Sequence, residues 1–298
     1  MYMIIGASGF LGSYVLDELL KTTKEIIVAV DINIPDNHSN NQIVWEKCNI
    51  TNQSEIADLN RKYKYHSKNI LFCSACHNPD YVETHFKEAW DVNIVALSFF
   101  VGVFENVNCF VYPSTDSVYG NSVDGYKFAE DSVLSPVNSY GKQKILAENI
   151  VCTYGYNVIR LPFMIGSSLA VGKQHFFDVI TETLKKGESI EMFADSLRST
   201  LSFRQVSRYI IKLMENYSDA PKILNICADD GLSKYELGVQ IARFLGVSTD
   251  LVKPIYLGNN KTIFKTQRAS STLMDNSLAK QLYKEDSIKL NIEMCFNK

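Results

Sequence analysis

Tyr140 and Lys144 stand four residues apart in Ser139-Tyr140-Gly141-Lys142-Gln143-Lys144, a spacing that puts both side chains on one face of a helix. Upstream, Ser114-Thr115-Asp116-Ser117 follows the apolar strand Cys109 to Tyr112. That places it at the carboxyl edge of a sheet, where open parallel sheets bind their ligands. A phenol, an ammonium and an alcohol gathered at one point can move a proton to or from an oxygen atom. Tyrosine and lysine at this spacing occur in many helices. The specificity lies in the joint occurrence, in this order, behind a glycine loop. Lys142 points to another helix face and is read as solvated.

The loop is Gly6-Ala7-Ser8-Gly9-Phe10-Leu11-Gly12, between a short apolar strand and a helix with apolar spacing. Glycines three residues apart let the backbone turn tightly and approach a pyrophosphate, which then faces the free N–H groups of the helix N-terminus. Asp31 ends the next strand, about 20 residues on, as a dinucleotide fingerprint requires. Its carboxylate can accept from the adenosine ribose hydroxyls and would repel a 2′-phosphate. No Lys or Arg occurs between Asp31 and Gln42. NAD(H) is therefore the favoured cofactor, with NADP(H) not excluded.

With these pieces in order, the sequence resembles the extended short-chain dehydrogenase/reductase family, whose hallmark is a glycine loop, a Ser or Thr, and Tyr-x-x-x-Lys. Ser114-Thr115-Asp116-Ser117-Val118-Tyr119-Gly120, Pro136-Val137-Asn138-Ser139-Tyr140-Gly141 and Arg160-Leu161-Pro162 all fit its strings. Arg268, with Leu273, Asp275 and Leu278, is similar to the closing segment of dTDP-4-dehydrorhamnose reductases and their relatives. The resemblance covers essentially the whole chain. It implies reduction of the 4-keto group of a nucleotide-linked 4-keto-6-deoxy sugar. Hydride goes to carbon and a proton to oxygen, and a free tyrosine, with a pKa near ~10, gives up its proton reluctantly at neutrality. The Lys144 ammonium and the oxidised nicotinamide would favour tyrosinate at Tyr140. Lys144 would also hold the nicotinamide ribose, and Thr115 would orient the substrate oxygen. The resemblance further implies cofactor contacts from Gly6, Ser8, Gly9, Phe10, Leu11, Gly12, Asp31 and Asn49. Substrate contacts would come from Asp116, Ser117, Phe163, Arg198 and Arg268, with Arg198 on the nucleotide phosphates. Asn93 would organise backbone and water beside the site.

Three departures bear on the branch. Related 4,6-dehydratases carry Thr-Asp-Glu, with the acid and base for water loss, and Ser117 cannot be that base. Asn49 stands where many relatives have an aspartate facing adenine. Pro162 and Phe163 differ from the usual epimerase string, which leaves the sugar open. The rivals are a nucleotide-sugar 4-epimerase, which recycles its NAD, and a non-catalytic dinucleotide-sensing regulator.

The elements that must position these residues alternate. Strands are expected at Met1 to Ile5, Ile26 to Val30, Ile43 to Trp45, Ile70 to Cys73, Cys109 to Tyr112 and Asn157 to Leu161. Helices are expected at Phe10 to Leu20, Ser54 to Tyr63, His85 to Glu105, Ser139 to Cys152, Phe176 to Lys186, Val206 to Asn216 and Lys234 to Leu245. Alternation without strict period-2 patterning predicts an α/β fold: a doubly wound parallel (Rossmann) sheet covered on both faces. A smaller C-terminal substrate-binding lobe completes it. Residues 1–162 form the dinucleotide-binding domain with a return segment around 197–225, and 163–196 and 226–298 form the lobe.

The chain has 298 residues, 46% of them hydrophobic and 21% charged, enough for a substantial core. A net charge of −3 gives no reason to expect nucleic acid or an anionic membrane as partner. Seven scattered cysteines fit free thiols in a reducing compartment, and with no signal segment the expected location is cytoplasmic. Cys73-Ser74-Ala75-Cys76-His77 matches a haem-attachment string, but small thiols at a strand end are the better account, and no metal site is expected. A homodimer, through His85 to Glu105 and Ser139 to Cys152, is implied by resemblance.

Overall fold

The computed structural model describes residues 1–35, 40–123, 125–259 and 264–296. Six strands follow one another, each but the last leading into helix or loop: β1 (Tyr2–Ile5), β2 (Ile27–Asp31), β3 (Ile43–Lys47), β4 (Lys68–Phe72), β5 (Val107–Thr115) and β6 (Asn157–Leu161). With Ile223–Asn225 they form one seven-stranded sheet in the order Ile223–Asn225, β6, β5, β4, β1, β2, β3. Every pairing is parallel. This is the expected doubly wound α/β fold. The strand order reverses between β1 and β4, and ligands of such sheets bind outside the carboxyl ends at that point.

Successive side chains of a strand leave opposite faces, and here both faces are buried. Ile4, Ala29, Leu71, Val111 and Ile159 point to one side, under α1 (Phe10–Thr22) and α8 (Phe203–Glu215), which contribute Tyr14, Val15, Val206 and Ile210. Met3, Ile5, Val28, Val30, Ile70, Phe72 and Phe110 point to the other. There they meet Ile56 and Leu59 of α2 (Gln53–Tyr63), Leu97 and Phe100 of α5 (Leu97–Val103), and Ala147 and Val151 of α6 (Ser139–Thr153). This two-sided burial explains the near-continuous apolar strands.

Two expectations need correction. The strand expected from Ile70 begins at Lys68, which is fully buried. Its ammonium donates to the carbonyls of Tyr63 and His66 at 2.8 and 2.7 Å, capping the end of α2, a tertiary use of lysine that periodicity does not reveal. The long helix expected at His85 to Glu105 is broken into pieces. A turn of helix, α3 (Pro79–Thr84), precedes it, with Asn78 accepting from the N–H groups of Asp80 and Tyr81. His85 then leaves helical geometry, with φ −125° and ψ 49°, before α4 (Phe86–Trp90) starts. A wide π-turn, Asp91–Ala96, joins α4 to α5. The Asn78-Pro79 pair was the available signal, since Asn caps and Pro suits the first helical position.

Beyond β6 a separate apolar cluster forms. Ile165, Phe177, Ile180, Leu184, Met192, Leu237, Ile241 and Val252 pack together, on α7 (Phe176–Lys185), α9 (Lys234–Leu245) and the parallel pair Ile190–Phe193 with Val252–Ile255. The chain crosses back to the large sheet through α8 and Ile223–Asn225. It ends on α10 (Ser277–Tyr283) and a short turn, Glu293–Cys295. All seven cysteines are free thiols, and among the described residues no His, Cys, Asp or Glu cluster could hold a metal. Among the described residues no helix is long and apolar enough to cross a membrane.

Candidate active site

The glycine loop lies where β1 meets α1. Gly9 is the N-cap and no side chain caps the helix, so its first N–H groups point outward, as an anion site requires. Gly12 is a packing residue: a Cβ there would sit 2.2 Å from the Gly6 carbonyl oxygen. Asp31, at the end of β2, accepts from the Ser8 N–H at 2.9 Å and from the Asn33 N–H at 3.2 Å. Asn49 turns its side-chain oxygen back on the N–H and hydroxyl of Thr51 at 3.0 and 2.8 Å. Its amide nitrogen is the group left to face a base. Phe10 packs edge-on against His175, ring centres 5.0 Å apart, and Leu11 is buried.

β5 delivers Thr115 at its end, and a single 3-10 turn, Asp116–Val118, follows, capped by Thr115 accepting from the Ser117 N–H at 3.2 Å. Asn138 caps α6 by accepting from the Gly141 N–H at 3.0 Å. A Cβ on Gly141 would lie 2.7 Å from the Ser117 carbonyl oxygen, so glycine is what lets α6 approach this turn. The approach brings the Tyr140 phenol near Thr115 and the Asp116 carboxylate. Burial, and then the Asp116 carboxylate, push the Tyr140 phenol up, with Thr115 opposing. Such a phenol holds its proton at neutral pH.

Lys144 is buried one turn further along. It was expected to favour ionisation of Tyr140. In the structure its ammonium donates to the Tyr112 hydroxyl and to the Pro113 carbonyl, both at 2.7 Å. Burial pulls Lys144 down to about 7, against the opposing pull of Glu148 and Cys73. Tyr112, on β5, was not singled out in the sequence, where it reads as a core aromatic. Asn93 lies buried in the π-turn, a wide turn of the kind often found at functional sites. Its side chain accepts from the Cys76 N–H at 2.8 Å and donates to the Cys76 carbonyl at 3.1 Å and to Gln143 at 2.8 Å. It thus ties the loop after β4 to α6.

Facing these residues are the cations of the smaller cluster. Asp116 is buried, accepts from the Thr272 hydroxyl and lies 3.5 Å from the Arg198 guanidinium. Arg198 also donates to the carbonyls of Leu197, Ala269 and Ser270 at 2.7, 2.7 and 3.1 Å. Most of its donors are spent on holding strands together, which leaves little for a phosphate. Arg268 pairs with Asp80 at 2.8 Å and lies over the Phe264 ring. Its Nη1 is buried with no hydrogen-bond partner among the described residues. Lys234 was missed. Its ammonium lies 5.3 Å from the ring centres of both Phe163 and Phe176. Burial, and then Arg198 and Arg268, push it down to about 8. The sequence signal marks only a helix start, Ser233 and Glu236 forming a capping box around it; the convergence with two distant arginines is tertiary.

The family model described as RmlD substrate binding domain matches residues 1–296. The chain belongs to this family. Among curated proteins it is similar to the methionine adenosyltransferase 2 subunit beta of Xenopus laevis, 25% identical over 85% of this chain and 74% of that one. Among solved structures, an RmlD-family fold of this shape recurs in a hypothetical dTDP-4-dehydrorhamnose reductase from Sulfolobus tokodaii. The TM-score is 0.80 at 20% identity, covering 100% of this chain and 99% of that one. It recurs too in MoeE5 in complex with UDP-glucose and NAD, with TM-score 0.80 at 20% identity, covering 99% and 95%. These TM-scores, over nearly the whole of each chain, establish the shared fold.

Proposed function

We propose that this RmlD-family protein is an NAD(P)H-dependent reductase of the 4-keto group of a nucleotide-linked 4-keto-6-deoxy sugar. The observation that carries the reading is the buried, protonated Tyr140, which the close approach of Gly141 to the Ser117 carbonyl brings up to the Thr115–Ser117 turn at the carboxyl edge of β5, on the same sheet edge as the glycine loop. The loop fits a dinucleotide: its helix N-terminus is uncapped, Gly12 closes the turn, and the Asp31 carboxylate, bonded to the Ser8 N–H of the loop, would accept from ribose hydroxyls. The bound nicotinamide supplies the hydride. Thr115 orients the keto oxygen, and Tyr140 donates a proton to that oxygen as it gains charge. Lys144, drawn down toward neutrality by burial, would hold the nicotinamide ribose and return a proton toward Tyr140.

The substrate side is assigned to residues 163–196 and 226–298, against a dinucleotide-binding part of residues 1–162 with its return segment. Arg198, Arg268 and Lys234 carry three positive charges against the carboxylates of Asp116 and Asp80. The surplus suits a diphosphate, with Lys234 and Arg268 Nη1 as the donors that remain. Asp116, Ser117 and Phe163 are assigned to the substrate side with them. Exposed Phe86, Val95 and Leu146 support a homodimer through α4, the π-turn after it and α6, and the location is taken as cytoplasmic.

The test supplies dehydratase-generated 4-keto nucleotide sugars with NADH and follows absorbance with product mass. One cofactor oxidised per sugar gaining two hydrogens is the expected outcome. Interconversion of 4-hydroxy sugars without added NADH would replace the reading with a 4-epimerase. A second reading, a dinucleotide-binding subunit without turnover, draws on the similarity to a subunit of methionine adenosyltransferase. It would give NADH binding and no oxidation with any 4-keto sugar.

A further inference from the structure

We infer that Lys234 is a nucleophilic amine, a covalent modification site that condenses with small phosphate-bearing aldehydes to form an imine. The inference goes beyond the reductase reading and does not rest on it, because it follows from what surrounds one ammonium group.

A small three-stranded sheet gathers those surroundings. Its central strand, Leu197–Arg198, pairs antiparallel with Leu232–Ser233 and parallel with Ser271–Thr272. Leu232 lies opposite Arg198 and Ser233 opposite Leu197, so Lys234 directly follows the strand that flanks Arg198. Arg268 comes shortly before the strand on the other flank. Lys234 is also the first residue of α9, fixed there by Ser233, whose hydroxyl accepts from the Glu236 N–H at 3.1 Å. Its side chain ends beside two phenyl rings, Phe163 after β6 and Phe176 on α7, 5.3 Å from each ring centre.

The carboxylates nearby are already engaged. Glu236, two residues on, accepts from the Ser233 N–H and hydroxyl at 2.7 and 2.9 Å. Asp116 faces Arg198, and Asp80 pairs with Arg268. Among the described residues the Lys234 ammonium enters no ion pair and donates no hydrogen bond. An amine desolvated by apolar walls and set beside other cations loses its proton readily, which is how lysine becomes a nucleophile toward carbonyl carbon. Ring faces favour the cation, but burial and the two guanidiniums prevail and bring Lys234 down to about 8 from 10.5. At pH 8 roughly half of it is then free amine, against about 0.3% of an ordinary lysine. A less basic amine is a weaker nucleophile; an exponent of about 0.5, like that of thiols, takes back roughly 20-fold and leaves a net advantage of about tenfold.

The same cluster selects the aldehyde. The buried Nη1 of Arg268 has no hydrogen-bond partner among the described residues, a donor suited to a phosphate oxygen. Lys234 is half-buried, so a small molecule reaches it. The free amine adds to the aldehyde carbon. Both amine hydrogens then leave with the carbonyl oxygen as one water, a C=N bond replaces the C=O bond, and nothing is oxidised or reduced.

The experiment incubates the full chain at pH 8 with pyridoxal 5′-phosphate or with pyridoxal, traps the imine with borohydride, and maps the labelled peptides by mass spectrometry. Lys234 should be labelled about tenfold faster than the median lysine. Relative to the other lysines, pyridoxal should label it about tenfold more slowly than the phosphate ester does, the scale of one charge-assisted contact. Labelling of Lys234 should level off between about pH 8 and 9 while that of surface lysines still climbs. Lys234→Arg keeps the charge without the nucleophile and should leave that peptide unlabelled and the others unchanged. Labelling spread evenly over the lysines, or led by another lysine, overturns the site. Equal relative rates for the two aldehydes overturn the assigned ligand class.

Discussion

The Lys144 ammonium donates to the Tyr112 hydroxyl at 2.7 Å, across 32 residues of sequence. The bond joins α6 to the middle of β5, so the position of Lys144 is set by the sheet as well as by its own helix. Burial brings Lys144 down to about 7 from an ordinary 10.5. Between those values the unfolded chain holds a proton that the folded chain has lost, so stability rises with pH; below about 7 both hold it and the burial cost is fully present. Urea denaturation of the cofactor-free wild type, referenced to Lys144→Met, should show a slope of up to about 1.4 kcal/mol per pH unit above neutrality. Parallel curves for the two proteins between pH 7 and 9 would refute the depressed lysine.

Tyr140→Phe keeps the ring and removes the proton. Turnover of a 4-keto sugar should drop by roughly 10²–10⁴-fold, the range for a lost general acid, while NADH binding by fluorescence changes little. Near-normal turnover of the purified variant would take Tyr140 out of the mechanism.

Arg160 and Glu148 form a fully buried ion pair at 2.8 Å, one helical turn beyond Lys144. Ser114 also donates to Glu148, and Arg160 donates to the Tyr119 hydroxyl at 2.8 Å. Removing one partner leaves a buried charge alone, at a cost of about 3–5 kcal/mol. Glu148→Gln and Arg160→Met should each lower the unfolding midpoint markedly, and the double variant should lose much less than the sum. Additive losses would mean that the two groups do not act as a pair.

Lys234→Met retains the apolar contacts with Phe163 and Phe176 and deletes the charge. It should raise KM for the nucleotide sugar about tenfold with kcat within about threefold, since a diphosphate contact is felt equally in substrate and transition state. A fall in kcat at constant KM would move Lys234 from binding to chemistry.

The spacing of Tyr140 and Lys144, the glycine loop and the end-of-strand Asp31 were all legible, because each depends on a local backbone period and a handful of adjacent residues. The parallel sheet was legible for the same reason: strands buried on both faces must be apolar at nearly every position. Lys68 and the π-turn at Asp91–Ala96 were not. A buried lysine looks like surface in a sequence, and the broken helix keeps enough helical spacing to read as one piece.

What the sequence determined by itself was therefore the set of elements, the fold class and the chemical groups at the carboxyl edge of the sheet. The tertiary structure decided which groups face one another. It gave Lys144 to Tyr112, spent Arg198 on the carbonyls of Leu197, Ala269 and Ser270, set Lys234 beside two arginines, and carried Lys173 to Ser8. Apart from the bond of Arg198 to its neighbour Leu197, those pairings join residues tens to more than a hundred positions apart. Local periodicity carries no information about them, because they are fixed only when the packed layers close and each buried polar group must find a partner within hydrogen-bond reach.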